Sequence, residues 1–328
     1  MRLEPKPAPS LAVTLLYPAG AIAATVVIAS LLVLAAGANP LSVFGLVLKG
    51  AAGSQFALVE TLTRATPLIF TGLAVAVAFR AKLWNIGAEA QLYAGAIITV
   101  VLGTGALLLL GPAVLKVRFG VDEVVTTLLV NFIMILFVSM LLEGVLKDPM
   151  GLGWPQSQKL ITEARLPRII TGRRLHYGFV LAIVSAIAVW IVMKKTTLGY
   201  EMRAVGHNPE AARFAGMPVN KILIKTALLS GGLAALAGFS EVAGLKGNLT
   251  LDLSPGFGYS GIVVAMLAML NPLGVVVAAI FVAGIFVGAD AMSRTAGVPS
   301  YIANVMVATA LLTMVTAIML TRFRVRWR

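Results

Sequence analysis

Long apolar runs separated by short polar segments make up most of the chain. A helix needs about 20 apolar residues to cross roughly 30 Å of hydrocarbon. On that criterion we predict membrane spans at residues 12–37, 66–80, 88–112, 124–146, 177–193, 222–245, 257–270, 273–290 and 300–320. Residues 41–60, which contain Lys49 and Glu60, are too polar for an easy span and are predicted to form a surface or re-entrant helix. The pattern predicts an all-α, polytopic helical bundle with about nine or ten membrane helices, some of them broken or re-entrant.

The first apolar run resembles a secretory signal, because Arg2 and Lys6 precede it and Ala36-Gly37-Ala38 mimics a cleavage site. The apolar region of a signal is about 7 to 15 residues long. This run has 26 residues, so we interpret it as a membrane anchor.

Residues 194–221, KKTTLGYEMRAVGHNPEAARFAGMPVNK, interrupt the apolar pattern with a polar stretch that contains a short helix. Asn208 is a favourable N-cap, and Pro209 fits the first helical position. Gly216, which is followed two residues later by proline, ends the helix. The predicted helix, residues 209–215, is marginal alone because helix nucleation is costly and two turns offset little of that cost. It must be held by the rest of the chain or by a partner.

Composition places the chain in the membrane. Of its 328 residues, 59% are hydrophobic and only 12% are charged, which no soluble domain of this size could accommodate. The formal net charge of +13 would indicate nucleic-acid binding in a soluble chain. Here the basic residues lie beside apolar runs, so we interpret them as signals of membrane orientation and predict no nucleic-acid partner. With no cysteine and only two isolated histidines, His176 and His207, the sequence excludes disulfides and cysteine-ligated metal.

The distribution of basic residues leads to a conflict over orientation. Residues 194–225 carry six Lys/Arg and the C-terminal tail carries four, so both are assigned to the cytoplasm together with the basic N-terminus. The loop 147–176 carries six as well, and is placed outside because it is outnumbered. Five spans are predicted before residue 194, however, and an even number is required. Three solutions stay open: residues 41–60 cross, a span is missing, or the run 88–112 folds back.

A weak internal repeat relates two short apolar segments. Residues 70–77, FTGLAVAV, resemble residues 259–266, YSGIVVAM. Each is followed by a polar break with asparagine and glycine, at 84–87 and at 271–274. Transporters place interrupted helices at matching positions of two halves, where broken backbone supplies polar groups near the translocation path. The alternatives are that the glycines simply permit close helix packing or that the match is coincidental.

Polar and ionisable residues at membrane depth are candidates for the translocation path, because burying a charge is expensive. Glu89 and Glu241 lie within predicted spans, although Glu89 also fits the first turn of a helix, where a carboxylate is favourable. Trp84 and Tyr259 fit the membrane interface or stacking on a ring-bearing substrate. The amides fit interhelical hydrogen bonds as well as substrate contacts. The candidate set is Trp84, Asn85, Glu89, Gln91, Asn131, Glu241, Tyr259, Ser260 and Asn271.

The sequence contains no phosphate loop, no Ser/His/Asp constellation and no metal motif. We therefore predict no catalytic residue, no metal site and no cofactor bound by this chain. If transport is driven by ATP, another subunit must hydrolyse it.

Four segments together resemble one family. They are residues 84–91 (WNIGAEAQ), 119–124 (FGVDEV), 197–216, and 241–244 (EVAG) through 271–274 (NPLG). They resemble the permease subunits of bacterial ABC importers of the branched-chain amino acid, ribose and nucleoside type, especially the nucleoside or simple-sugar members. The resemblance covers nearly the whole chain.

The resemblance implies a single permease domain over residues 1–328, with a cytoplasmic coupling loop at 194–221 and an extracytoplasmic loop at 147–176. Such a subunit imports a small polar solute, here a nucleoside or simple sugar, by alternating access across the bacterial inner membrane. Its implied partners are an ABC ATP-binding subunit that carries ATP and Mg, a second identical or different permease subunit, and an extracytoplasmic substrate-binding protein. Both termini are expected in the cytoplasm, with the spans in membrane lipid.

The resemblance also assigns the short polar helix to a groove of the ATP-binding subunit, whose closure it transmits. That coupling role falls on Glu201, Arg203, Gly206, Asn208, Pro209, Ala211, Ala212, Arg213 and Gly216. A bulky residue at Gly206 or Gly216 is expected to abolish uptake. Family members have a further span before the FGVDEV segment, which leads to the hypothesis that this chain lacks a span near 103–113 and has about nine.

One alternative from another class is a stand-alone secondary transporter in which Glu89 or Glu241 carries protons. It predicts uptake that collapses with the proton gradient and needs no ATPase.

Overall fold

The computed structural model of this chain describes residues 2–5, 11–35, 37–101, 110–297, 299, 301, 304–305, 307–309, 312–313, 316 and 323–326. The chain divides into two compact units, Met1–Thr61 with Phe281–Arg328, and Leu62–Ile280. Much of the predicted span at 300–320 and all of 102–109 lie outside the described residues.

Long apolar helices account for most of the described residues. Among these residues, five helices are long and apolar enough to cross a membrane, namely Gln55–Arg80, Glu123–Glu143, Gly178–Lys195, Val219–Lys246 and Pro272–Ala296. A further candidate is the helix pair Ala23–Ala35 and Pro40–Ala52, which is bent by 112°. The all-α, polytopic membrane fold predicted from the apolar runs is confirmed.

The first unit brings the two ends of the chain together. Its elements are β1 (Arg2–Pro5), α1 (Leu11–Ala35), α2 (Pro40–Ala52) and β2 (Phe323–Arg326). β1 pairs antiparallel with β2, and Arg2 lies opposite Arg326. The sequence analysis predicted no strand, because four-residue segments are too short to show a periodic pattern. The pair brings residues 2–5 and 323–326 together, which is the arrangement expected if both termini lie on one side of the membrane.

The second unit contains the remaining helices. They are α3 (Gln55–Arg80), α4 (Ala88–Val101), α5 (Leu110–Phe119), α6 (Glu123–Glu143), α7 (Gly178–Lys195), α8 (Thr197–His207), α9 (Pro209–Phe214), α10 (Val219–Phe239), α11 (Phe257–Leu267) and α12 (Pro272–Ala296). α3 begins, and α12 ends, in the first unit. α10 continues as a π-helix at Ser240–Lys246, and the loop after α6 contains a 3₁₀ turn at Thr162–Ala164.

The contact between α4 and α10 forms the centre of the second unit. A Cβ added to Gly238 of α10 would overlap the Leu92 carbonyl oxygen of α4. A Cβ added to Gly95 of α4 would likewise overlap the Ala235 carbonyl oxygen of α10. Small residues on both helices therefore let the two backbones touch, as is common where lipid supplies no hydrophobic drive for helix association.

The predicted boundaries between residues 41 and 80 are wrong, whereas the first predicted span, 12–37, matches α1 closely. The segment predicted as a surface helix, 41–60, is divided between α2 and the first turn and a half of α3, and α3 is one helix of 26 residues where a span was predicted only at 66–80. Glu60 and Arg64 lie near the start of α3. Charged side chains near a helix end can reach the polar interface, so they do not prevent the helix from spanning.

One end of the second unit collects the polar contacts of three connections between helices. Lys82, after α3, donates from Nζ to the His207 carbonyl at 3.5 Å, just before α9. Lys116, near the end of α5, forms an ion pair with Glu123 at the start of α6. We call this the coupling end, because it carries α8 and α9.

The opposite end of the second unit carries the loop 147–176. The Ser157 N–H donates to the Leu249 carbonyl at 2.9 Å, which joins this loop to the segment after the π-helix. α6 and α7, with 21 and 18 residues, connect the two ends. The loops 147–176 and 194–221 therefore lie at opposite ends of the unit.

The contacts of residues 82–116 bear on the predicted conflict over orientation. The chain leaves the coupling end after Lys82 and has returned to it at Lys116. α4 leads away and α5, which packs on α6 and α10, leads back. Residues 102–109 lie outside the described part. α5 returns the chain to the coupling end in the region where a missing span was predicted. The number of spans, nine or ten, stays a prediction.

Candidate translocation and coupling sites

The two segments of the internal repeat pack against each other in α3 and α11. Gly72 and Gly261 occupy the same position in the two segments. A Cβ on Gly72 would lie 2.8 Å from Val264 Cγ1, and one on Gly261 would lie 2.7 Å from Thr71 Cβ. The Thr71 hydroxyl lies 3.0 Å from the Phe257 carbonyl oxygen and can donate to it, which links α3 to the start of α11. The matching glycines thus permit α3 and α11 to cross closely. This supports the alternative that the glycines serve helix packing.

α4 and α11, the two short helices that follow breaks, begin beside each other. Residues 81–87, which we call the break segment, join α3 to α4 without helical structure. Glu89, in the first turn of α4, accepts from the Gly258 N–H at 2.6 Å through Oε2. This carboxylate therefore satisfies an N–H in the first turn of α11 and lies near the positive ends of both helix dipoles. A Cβ on Gly258 would overlap the Glu89 amide, so only glycine fits this contact.

Asn85 organises the centre of the break segment. Its Nδ2 donates to Gln91 Oε1 and to Ser230 Oγ, both at 2.9 Å. Its Oδ1 accepts from Gln91 Nε2 at 2.9 Å and from the Gly87 N–H at 3.0 Å. Ser230 in turn donates to the Ala74 carbonyl at 2.7 Å. The paired amides are thus fully hydrogen-bonded and link the break segment to α3, α4 and α10.

Three polar residues spaced four apart on α6, Glu123, Thr127 and Asn131, contact the backbone of the break segment; we call them the polar stripe. Glu123 accepts from the Trp84 N–H at 3.3 Å, and Thr127 accepts from the Ile86 N–H at 3.4 Å. Asn131 donates to the Ile86 carbonyl at 3.1 Å. Non-helical backbone at membrane depth needs such partners, because lipid offers none. The polar stripe therefore makes the break possible.

Asn131 also connects the polar stripe to the two short helices. Its Oδ1 accepts from the Ala90 N–H of α4 at 3.0 Å, and its Nδ2 lies 3.0 Å from the Tyr259 hydroxyl of α11. Sequence reasoning included Asn131 in the candidate set and left out Glu123, Thr127 and Ser230, which hold the same break segment. The polar stripe could have been recognised from the sequence, because residues i, i+4 and i+8 share one face of an otherwise apolar helix.

The coupling loop has the local structure that its sequence predicted. Asn208 Oδ1 accepts from the Glu210 and Ala211 N–H groups at 2.9 and 3.1 Å, which caps α9. Gly216 has a φ of +81°, the left-handed conformation expected after a helix end. The helix ends at Phe214, one residue earlier than predicted, and the Phe214 side chain is 97% exposed.

The rest of the coupling loop is held by contacts within the second unit. A Cβ on Gly206 of α8 would overlap the Arg80 carbonyl oxygen at the end of α3. The Arg203 guanidinium donates to the Met193 carbonyl. Of the other predicted coupling residues, Ala212 is buried, Glu201 is half-buried, and the exposed ones are Pro209, Ala211 and Arg213. The sequence analysis missed α8, which supports α9 from the N-terminal side.

Comparison with known proteins decides the family. Residues 57–321 match the family described as branched-chain amino acid transport system / permease component. The chain belongs to this family. It is 33% identical to a glucose ABC transporter permease protein of Haloferax volcanii, over 93% of this chain and 88% of that protein. It is 34% identical to a guanosine ABC transporter permease protein of Bacillus subtilis, over 91% of this chain and 92% of that protein.

A third relative is a nucleoside ABC transporter permease protein of Lactococcus lactis, 29% identical over 89% of this chain and 88% of that protein. No solved structure shows a significant similarity to this permease component. The family predicted from the four sequence segments is confirmed, and so is the prediction of a transport subunit.

Most candidate path residues of this permease component are buried side chains that stabilise the fold. Asn85, Glu89, Gln91, Asn131 and Glu241 are at most 3% exposed. Trp84 and Tyr259 are 45% and 40% exposed. Ser260 is half-buried, and Asn271 is exposed and accepts from the Leu273 N–H at the start of α12. Trp84, Tyr259 and Asn271 are therefore the exposed members of the set.

Glu241 and His176 lie at the end opposite the coupling loop. Glu241 is in the π-helix and is buried. His176 is fully buried, and a Cβ on Gly244 would overlap its ring. Burial lowers the pKa of His176 to about 4, so the ring is neutral at neutral pH. Its contact with Gly244 attaches the loop 147–176 to the π-helix.

Proposed function

We propose that this permease component forms the membrane pathway of an ATP-driven importer for nucleosides or simple sugars. The names of its relatives support this, since they are guanosine, nucleoside and glucose ABC transporter permease proteins. The chain has no phosphate loop, so ATP with its Mg is bound and hydrolysed by a separate subunit. A second permease subunit, identical or different, completes the pathway. The setting is the bacterial inner membrane, with the coupling end and both termini in the cytoplasm.

The observation that carries the proposal is the exposed α9 at the coupling end. Phe214 is 97% exposed, next to the exposed Arg213, while Ala212 is buried and attaches α9 to the unit. An aromatic side chain that is fully exposed on a capped helix is typical of an interface anchor, since aromatic and arginine residues contribute most to binding. α9 therefore fits the coupling role, with Phe214 entering a groove of the ATP-binding subunit.

The experiment that tests this function is uptake by the complete transporter reconstituted in proteoliposomes. Radiolabelled guanosine and glucose are offered with the binding protein outside and ATP supplied to the ATPase. Uptake is expected to require ATP and to persist when a protonophore removes the proton gradient. Uptake that collapses with the protonophore and continues without ATPase would establish the secondary transporter instead.

At the opposite end we propose a docking surface for the substrate-binding protein. A cavity of about 320 Å³ lies between the loop 147–176 and the end of the π-helix, and Arg165 and Arg168 line it. Neither arginine forms an ion pair with any described residue, and the cavity lining contains no acid. Two unpaired guanidinium groups favour carboxylate side chains on the partner.

The double substitution Arg165→Glu and Arg168→Glu is expected to weaken the binding protein's affinity roughly 30-fold or more, since like charges across an interface cost several kcal/mol. Affinity is measured by titrating binding protein onto the transporter at low and high salt. Lys159→Glu, in the same loop but outside the cavity lining, is the matched control. Equal affinity for the double variant and the control would contradict this docking surface.

A further inference from the structure

The break segment is contacted from two sides, and these contacts extend from the coupling loop to the short helices. On one side lies α8. Gly206 packs against the Arg80 carbonyl where the break segment begins, and Lys82 Nζ reaches the His207 carbonyl at 3.5 Å. The backbone immediately before the Asn208 cap of α9 is therefore in direct contact with the break segment.

On the other side, Lys116 and Glu123 close a ring of contacts with the same segment. Lys116 Nζ donates to the Lys82 carbonyl at 3.2 Å and forms an ion pair with Glu123. Glu123 also accepts from the Trp84 N–H at 3.3 Å. The two charged side chains are 25% and 10% exposed. Such shielding makes the ion pair stronger than a surface pair and makes its loss more damaging.

Beyond the ring, the polar stripe and Glu89 extend the connection into the membrane. Asn131 holds the Ile86 carbonyl and the Ala90 N–H, so the break segment and the start of α4 are attached to α6. Glu89 attaches α4 to α11 through the Gly258 N–H. A displacement of α8 therefore reaches the N-termini of both short helices through contiguous hydrogen bonds.

We infer that the Lys116–Glu123 ion pair is a transmission latch: it makes the break segment follow α8, so that motion of the coupling loop moves α4 and α11. The inference rests on the proposed function, because it presupposes that a partner moves the coupling loop. Lys116 and Glu123 are positioning residues and do not contact the solute. Energy coupling through a packed polar network requires an element with two arrangements. We assign that role to the break segment, because the Trp84, Ile86 and Gly87 N–H groups bond to side chains and not to helical carbonyls.

Glu123→Gln tests the latch. Glutamine keeps an oxygen that accepts from the Trp84 N–H but removes the charge that Lys116 pairs with. In proteoliposomes with ATPase and binding protein, the number of solute molecules imported per ATP hydrolysed is expected to fall roughly 5-fold or more, since coupling between sites is typically worth about 5- to 150-fold. ATP hydrolysis and the binding of the ATPase are expected to persist. Lys116→Gln, which keeps a donor for the Lys82 carbonyl, is expected to give the same loss.

Glu143→Gln is the matched control, because Glu143 is an exposed glutamate at the opposite end of α6. The ratio of import to hydrolysis is expected to be unchanged in this variant. The double variant Lys116→Glu, Glu123→Lys restores an ion pair but provides no acceptor for the Trp84 N–H. It is expected to recover part of the ratio of import to hydrolysis.

Two results would overturn the latch. One is a parental ratio in both Glu123→Gln and Lys116→Gln. The other is a proportional loss of import, hydrolysis and melting temperature, which would make the pair purely structural. Failure of the proposed function is distinguishable, because the parent itself would then show no ATP-dependent import. If Glu123→Gln does not fold, Lys116→Gln and the exchanged pair decide the question.

Discussion

Replacing Gly238 with valine is expected to prevent this permease component from folding stably. The added Cβ would overlap the Leu92 carbonyl oxygen and lie 2.8 Å from the Ala96 amide nitrogen, and both are backbone atoms of α4. Backbone cannot rotate away as a side chain can, so α4 and α10 must separate. Overpacking costs about 1 to 3 kcal/mol where side chains yield, and we expect more here. Gly95→Val should act alike, because it would strike the Ala235 carbonyl from the other side.

Thermal unfolding of purified protein in detergent, followed by size-exclusion chromatography, measures this effect. Gly111→Val is the matched control, since a Cβ at Gly111 meets nothing within 4 Å. The control should elute as the parent does, whereas Gly238→Val should be lost as aggregate. A parental melting temperature for Gly238→Val would mean that the α4–α10 contact is looser than described.

Replacing Gly206 with valine is expected to abolish uptake while Gly216→Ala leaves most of it. At Gly206 the added side chain would strike the Arg80 carbonyl and push α8 away from the end of α3, which breaks the connection to the break segment. At Gly216 an added Cβ meets nothing within 4 Å, and only the φ of +81° is unfavourable. Strain of that kind costs about 1 to 3 kcal/mol. The sequence analysis treated the two glycines alike, and the structure separates them.

The measurement is ATP-dependent uptake by each variant, with membrane amounts compared by immunoblotting. A substantial decrease in uptake for Gly206→Val at parental membrane levels is the expected result. Equal uptake in the two variants would show that contact between α8 and α3 is not needed for coupling.

Local signals explain why the coupling loop was predictable. An N-cap, a proline at the first helical position and a terminating glycine act over a few residues, so Asn208, Pro209 and Gly216 define α9 from sequence alone. The family was predictable for a related reason, since its segments are short and contiguous. α8 was missed because its few apolar positions are held by tertiary contacts such as Gly206 against Arg80.

The candidate translocation path was less predictable, because a buried polar residue has the same sequence signature whether it binds solute or backbone. Asn85, Gln91 and Asn131 were identified as polar residues at membrane depth, and the structure shows each engaged with backbone or another amide. Their partners come from residues far along the chain, such as Ser230. Thr127 escaped notice because a threonine in a helix usually bonds its own backbone, and it does so here as well, to the Glu123 carbonyl at 2.7 Å.

The path of the chain between α3 and α6 depends on contacts that no local pattern predicts. The pairing of β1 with β2 brings the two termini together. The contact between Lys116 and the Lys82 carbonyl shows that the chain returns to the coupling end after α4. The basic residues indicated an inconsistency before residue 194, and a fold-back of the run 88–112 was one of the three solutions left open. The short α5 was not recognised, because its ten residues include a proline and two basic residues.

The most direct test of the account is a cross-link from α9 in the assembled transporter. The chain has no cysteine, so Phe214→Cys provides a unique site for a photoactivated maleimide probe. The account predicts a cross-link to the ATP-binding subunit from position 214, and none from Leu152→Cys, an exposed residue of the loop at the opposite end. If the probe at position 214 labels only lipid or solvent while ATP still drives import, α9 is not where the ATPase engages the permease component.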